Sequence, residues 1–301
     1  MKQLFKTIKI GSLALSSPVV GASGTVGFLK EIKQFAAIKA IGAGITKTIT
    51  LEPRIGNKGV RIAEVDCGIL NAIGLENPGI DMFLKDIHPQ IKDLGPAIIV
   101  SVAAREEAEF IALAKKLEDH PAIKAVELNL SCPNVKGNII SQYPEEVYKA
   151  VKAFRSRFSR TLIAKLTPEV TDIVQTAFQA QEAGADALNL VNTFLGIKFD
   201  LKTQKPVLGN LTGGYSGKGI KPMALYRVWR VCSKMSLPVI GGGGIQDWQD
   251  AAEFFIAGAT AVSIGTANFI RPNTAEMVAK GLYGYMRENK IKELGKLEII
   301  R

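Results

Sequence analysis

Polar residues in this sequence collect where short apolar runs end. Thr46-Lys47-Thr48, Glu127-Leu128-Asn129-Leu130-Ser131-Cys132-Pro133-Asn134, Lys165-Leu166-Thr167-Pro168 and Val191-Asn192-Thr193 each close such a run. Asn71-Ala72-Ile73-Gly74-Leu75-Glu76-Asn77-Pro78 adds a further set from a loop. Amides that both donate and accept suit a planar ring with alternating C=O and N–H groups. Lysines at strand ends suit an anion or a developing negative charge. A lone lysine there is as readily a structural ion-pair partner; Lys47 and Lys165 beside several amides shift the balance toward a ligand.

Cys132 stands in a Ser-Cys-Pro-Asn turn rather than at a periodic core position. A buried, inert thiol is the ordinary fate of a cysteine. With no histidine near it in sequence, a papain-like hydrolase is disfavoured, while a general base remains open. Cys67 and Cys232 read as structural.

Glycine marks two more places. Gly241-Gly242-Gly243-Gly244 precedes a helix starting near Asp247, and Gly265-Thr266-Ala267 precedes one near Asn273. Backbone N–H groups freed by glycine and aimed by helix N-termini cradle phosphate. Glycines are also ordinary turn residues, so it is the two clusters together that point to a phosphorylated ligand such as FMN.

These groups need a frame that brings strand ends together. Eight apolar β-rich runs recur: Pro18–Ala22, Gly44–Thr48, Ala97–Val102, Ala125–Leu130, Leu162–Leu166, Ala187–Val191, Pro238–Gly242 and Ala261–Gly265. Helical patterns alternate with them near 29–40, 78–93, 105–118, 144–158, 169–183, 221–235, 247–257 and 273–288. Near-continuous apolar strands alternating with helices mean a parallel sheet covered by helices. Eight such units close a (β/α)8 TIM barrel, with chemistry at the C-terminal strand ends and phosphate after strands seven and eight. Gly42, Gly184 and Gly258 fall where helix C-termini feed the next strand. An open doubly wound sheet is the alternative; its GxGxxG turn after the first strand is missing. A short hairpin precedes the first strand, and insertions at 49–77 and 194–220 follow strands two and six. Loops that long on the catalytic face are usually functional, with a merely structural lid as the alternative.

Composition fits this frame. The 301 residues are expected to form a single domain, 1–301, since α/β barrels run to about 250 residues as one unit. Lys+Arg 38 against Asp+Glu 28 gives a net charge of +10. That charge is dispersed and lacks an aromatic-basic groove, so no nucleic acid partner is expected. Only His88 and His120 are present, which leaves little for a histidine metal site or a His-based triad. Three widely spaced cysteines make no disulfide framework and suit a reducing cytoplasm. The uncharged run Ile10–Leu29 imitates a secretory signal, but Gly11, Ser12, Ser16, Ser17 and Pro18 interrupt it. No segment reaches the ~18 apolar residues of a membrane span.

Read as phrases, several stretches resemble one family. Ala22-Ser23-Gly24-Thr25, Thr46-Lys47-Thr48-Ile49-Thr50-Leu51-Glu52-Pro53-Arg54, Asn71 to Gly79, Glu127 to Asn134, Asn192-Thr193 and Asn210 to Gly217 look like class 1 dihydroorotate dehydrogenase, in order over nearly the whole chain. Leu-Glu-Pro-Arg and Asn-Ala-Ile-Gly-Leu resemble the NAD-linked 1B catalytic subunit more than the fumarate-linked 1A type. Flavin barrels acting on other dihydropyrimidines share the Ser-Cys-Pro core.

The resemblance implies oxidation of (S)-dihydroorotate to orotate in pyrimidine biosynthesis, with one FMN per chain. Cys132 would take the C5 proton, and hydride would leave C6 for FMN. Substrate would be held by Lys47, Asn71, Ala72, Ile73, Gly74, Leu75, Asn129, Asn192 and Thr193. FMN would be held by Ser23, Lys47, Thr48, Ser101, Asn129, Lys165, Val191, Gly217, Gly243, Gly244, Gly265 and Thr266. Ser101 stands where many relatives have asparagine, so a weakened or water-bridged flavin contact is expected there. The loop Val135-Lys136-Gly137-Asn138 would be a mobile lid over the base. A partner subunit with FAD and a 2Fe–2S cluster is implied, in a heterotetramer of two catalytic and two electron-transfer chains around a catalytic homodimer. This chain has neither a ferredoxin-type cysteine set nor a Rossmann fingerprint, so those cofactors would sit on the partner.

Overall fold

A computed structural model describes residues 5–34, 38–131 and 139–294. The chain opens with an antiparallel hairpin, β1 (Ile8–Ile10) and β2 (Leu13–Leu15). Then come β3 (Val19–Gly21), β4 (Ala43–Ile45), the hairpin β5 (Ile62–Val65) and β6 (Gly68–Asn71), β7 (Ala97–Val102), β8 (Ala125–Asn129), β9 (Thr161–Lys165) and β10 (Ala187–Leu190). The later strands are β11 (Phe194–Gly196), β12 (Phe199–Asp200), β13 (Lys205–Pro206), β14 (Gly213–Ser216), β15 (Val239–Gly242) and β16 (Ala261–Ile264).

Strands β3, β4, β7, β8, β9, β10, β15 and β16 pair in that order and close into a barrel, every pair parallel. All eight expected strands are present, and the (β/α)8 barrel is the observed fold. Its outer layer is α1 (Ile80–Met82), α2 (His88–Ile91), α3 (Glu107–Glu118), α4 (Pro144–Arg155), α5 (Ile173–Glu182), α6 (Lys221–Cys232), α7 (Trp248–Ile256), α8 (Ala267–Ile270) and α9 (Thr274–Glu288). Prolines open α4 and α6, and Asp172 and Asp247 cap α5 and α7 by accepting N–H bonds from Val174 and Asp250. The helix expected over 29–40 is replaced, in its described part, by 3-10 turns at Ile32–Gln34 and Ile38–Ala40. Leu29, at the start of that stretch, has φ 66, a left-handed value that no α-helix accepts.

Side chains alternate across each strand. Outward residues such as Val126, Leu128, Leu162 and Leu188 pack under the helices. Inward, Val20, Ala43, Ile45, Ile99, Ala125, Ile163, Ala187, Ile240 and Ala261 form one apolar layer. Ile10, Leu13 and Leu15 of the N-terminal hairpin pack against that layer and plug the bottom. Gly11, at φ 58, lets the hairpin turn sit on Thr161, whose Oγ1 accepts the Ser12 N–H at 3.0 Å.

The two insertions meet. The first supplies β5 and β6, the second β11 and β14, and together they form one antiparallel sheet in the order β11-β14-β6-β5. Gly68 permits the join, because a Cβ there would lie 2.0 Å from the Ser216 carbonyl oxygen. Ala63, Leu70, Ala72 and Leu208 give this sheet a small core of its own.

Candidate active site

The same inward alternation that builds the apolar layer places polar groups one step higher. After Ala125 on β8 come Glu127 and Asn129; after Ile163 on β9 comes Lys165; after Ala187 on β10 comes Asn189. Lys165 pairs in register with Asn129 on one side and Asn189 on the other. These residues, with the insertion sheet, bound a cavity of about 730 Å³ at the C-terminal ends of the strands. That is the size range of a cofactor or substrate site.

Nearly every expected site residue reaches this cavity. Ser23, Lys47, Thr48, Asn129, Lys165, Val191, Gly217, Gly243, Gly244, Gly265 and Thr266 line it. Asn71, Ala72, Ile73, Gly74, Leu75, Asn192 and Thr193 line it as well. Cys132 and the loop 135–138 lie outside the described residues, but Ser131 lines the cavity immediately before them in sequence. Cys67 is exposed in the β5–β6 turn, and Cys232 sits on α6 with its thiol pushed up to about 12 by burial. Neither lines the cavity, in keeping with structural roles.

Ser101 stands one layer back from the other expected residues. It is fully buried, lies beneath the floor and does not line the cavity. Its hydroxyl donates to Glu127 Oε1 at 2.9 Å and lies 3.0 Å from Thr48 Oγ1. With its one proton given to Glu127, the Ser101 hydroxyl links that carboxylate to Thr48, which lines the cavity. Glu127 is not among the site residues that the sequence motifs single out. It is wholly buried, and Asn189 Nδ2 donates to its other oxygen at 2.6 Å. Two hydrogen bonds offset much of the cost of burying such a group. Above, Asn129 Nδ2 donates to Thr48 at 3.1 Å and Asn192 Nδ2 donates to Asn129 Oδ1 at 3.3 Å. The Asn129 and Asn192 amides are thereby held in fixed orientations. Period-two alternation from Ala125 and Ala187 is the signal that finds both Glu127 and Asn189.

Three observations describe the ligand this cavity fits. Lys165 is 8% exposed, and its side-chain ammonium makes no hydrogen bond or ion pair among the described residues. A buried ammonium without a partner calls for an electron-rich one. Ser131 Oγ is likewise buried and unpartnered. The N–H groups of Gly243, Gly244 and Ile245 take no backbone acceptor among the described residues. A Cβ at Gly243 would lie 2.6 Å from Ala224, so bare backbone is all that fits there. That cradle, beside the start of α8, suits a phosphate.

At the opposite side Lys47 faces the cavity, 3.8 Å from Glu76 Oε1. Arg61 hydrogen bonds the other Glu76 oxygen. That bond, followed by the charges of Lys47 and Arg61, holds the Glu76 carboxyl below its ordinary range. Arg61 thus shares the carboxylate, and Lys47 keeps a loose pairing that leaves it available to an anion. Among the described residues no group of His, Cys, Asp and Glu could hold a metal ion.

Fold and site together describe a (β/α)8 barrel with a polar cavity at its C-terminal mouth, where a glycine loop, buried amides and a lysine without a side-chain partner among the described residues come together. Comparison with known proteins narrows the class. The family model described as Dihydroorotate dehydrogenase matches residues 6–286, and the chain belongs to that family. It is 47% identical over 292 residues, 96% of this chain and 95% of the relative, to a protein of Carboxydothermus hydrogenoformans named "Dihydroorotate dehydrogenase B (NAD(+)), catalytic subunit". A protein of the same name from Bacteroides thetaiotaomicron is 43% identical over 97% of this chain and 99% of its own length. Among solved structures, DHODH from Eimeria tenella in complex with ferulenol superposes with a TM-score of 0.80 at 22% identity, covering 98% of this chain and 88% of that one. At that identity the likeness speaks for the fold.

Proposed function

We propose that this chain is the catalytic subunit of an NAD-linked dihydroorotate dehydrogenase, oxidising (S)-dihydroorotate to orotate in pyrimidine biosynthesis. The observation that carries the reading is one cavity that joins the glycine cradle, the unpaired Lys165 and the amides Asn129 and Asn192. FMN, when bound, supplies the acceptor for the hydride leaving C6. The backbone at Gly243, Gly244, Gly265 and Thr266 would take its phosphate, and Lys165 would hold negative charge at the N1–C2=O edge. Lys47 would meet the substrate carboxylate, and Asn71, Asn129, Asn192 and Thr193 its ring. Cys132, next after Ser131, would accept the C5 proton.

The chain acts, in this reading, as one FMN-binding domain in the cytoplasm, in a homodimer that joins two electron-transfer subunits. Those subunits would carry FAD and 2Fe–2S and pass electrons to NAD. No helix among the described residues is long and apolar enough to cross a membrane.

The purified chain is expected to be yellow. Anaerobic dihydroorotate bleaches it and yields one orotate per flavin, whereas Cys132→Ser bleaches slowly or not at all at neutral pH. Equal bleaching by both proteins would remove Cys132 from the role of base.

A further inference from the structure

Behind the glycine cradle lies a cluster of charges that faces away from the cavity. Lys221, the first residue of α6, donates from Nζ to Asp250 Oδ1 at 2.6 Å and to Glu253 Oε1 at 2.9 Å. Both carboxylates belong to α7. Asp250 is 7% exposed, and its second oxygen accepts the Gln246 N–H at 2.9 Å. Its own N–H donates to the capping Asp247 at 2.9 Å. One carboxylate therefore ties the start of α6, the first turn of α7 and the loop between β15 and α7.

That loop is the cradle. Gly244, at φ 80, packs directly on Lys221: a Cβ there would lie 2.8 Å from the Lys221 backbone nitrogen. The loop is thus seated on Lys221 at Gly244 and pinned by Asp250 at Gln246. The unpartnered N–H groups of Gly243, Gly244 and Ile245 fall at or next to these points. Lys221 does not line the cavity, so it is no phosphate ligand. Burial works against its charge, but its hydrogen bonds to Asp250 and Glu253 outweigh that and raise its pKa above the ordinary lysine value. Without it, two carboxylates would stand behind the cradle uncompensated and repel an anion bound in front.

We propose that Lys221, Asp250 and Glu253 form a clamp outside the cavity that fixes the backbone of Gly243–Gln246, and so sets affinity for the phosphate end of the flavin nucleotide. Lys221 is a positioning residue in this scheme. It holds the two carboxylates that hold the loop, and it masks their charge. The proposal rests on the flavin-nucleotide reading above and extends it to residues that touch no ligand.

Riboflavin, which lacks the phosphate, separates this role from a merely structural one. Flavin-free full-length protein is titrated with FMN and with riboflavin, following the quenching of flavin fluorescence. Lys221→Met is expected to weaken FMN binding about 10- to 100-fold, the range for a lost charge-assisted hydrogen bond, and riboflavin less than about threefold. Lys221→Arg restores FMN binding to within about threefold of the wild type. Equal losses for the two flavins, or no loss of FMN affinity, would overturn the clamp. If Lys221→Met does not fold, Lys221→Gln, which keeps a hydrogen-bond donor but not the charge, should still lower the FMN-to-riboflavin affinity ratio; an unchanged ratio counts against the clamp. A wild type that binds both flavins equally would instead refute the phosphate cradle itself.

Discussion

The barrel interior holds two stacked layers made by the same strands. The lower is apolar, with Ile45, Ile99, Ile163 and Ile240 sealed from below by Ile10, Leu13 and Leu15. The upper holds Ser101, Glu127, Lys165, Asn189 and Ser263, all of them buried. On β9 the two differ by a single inward step, from Ile163 to Lys165. Burial alone therefore does not separate core from site. In the lower layer buried groups meet each other, whereas in the upper one the Lys165 ammonium has no side-chain partner among the described residues. Buried polar groups reduce stability unless something satisfies them, and a ligand is what the upper layer leaves room for.

Substitutions on one strand break or sharpen this contrast. The largest effect is expected from Lys165→Met. Its turnover falls about 100- to 1000-fold, as for loss of a preorganised charge, while its melting temperature holds or rises. Steady-state kinetics beside calorimetry check both, and a parallel drop in stability would place Lys165 with the core. Ile163→Ala inverts the pattern: about 2–5 kcal/mol of stability lost in urea unfolding, with flavin reduction by the folded protein changed less than about threefold. Ser101→Ala tests the floor. It leaves Glu127 Oε1 without its donor and costs about 1–3 kcal/mol, yet FMN affinity stays near the wild-type value. A marked loss of FMN affinity would return Ser101 to the cavity wall.

The smallest effect lies at Glu76. Its folded pKa is depressed, so the stability it contributes is present above the unfolded value, near 4.5, and fades as pH falls through the lower folded one. Wild type should exceed Glu76→Gln in stability at neutral pH, with the gap closing below about pH 4 and narrowing in salt. A gap that widens in acid would contradict the ion-pair account.

Much of this architecture is legible in the amino-acid sequence. Apolar runs such as Ala97–Val102 are too short for helices and too uniform for one-sided strands, which leaves a doubly covered parallel sheet. Paired glycine clusters at strand ends locate the cradle for a similarly local reason. What the sequence hides depends on distant segments. Nothing local says that β6 and β14, more than a hundred residues apart, pair into one sheet, or that Arg61 shares Glu76 with Lys47. Position along a strand also does not say where a hydroxyl's only proton goes, as at Ser101, which gives its own to Glu127. In the described part of 29–40, 3-10 turns stand where apolar periodicity pointed to an α-helix, with the left-handed Leu29 at the start.

The account stands on the carboxylate-recognising side of the cavity acting with the flavin side on one ring. The direct measurement is anaerobic stopped-flow bleaching of the native flavoprotein by dihydroorotate and by dihydrouracil, which lacks the carboxylate. Dihydroorotate should bleach it at least about 100-fold faster at equal concentration, as expected if a charge-assisted contact to Lys47 is made only with the carboxylate. Equal rates, or bleaching by dihydrouracil alone, would contradict it.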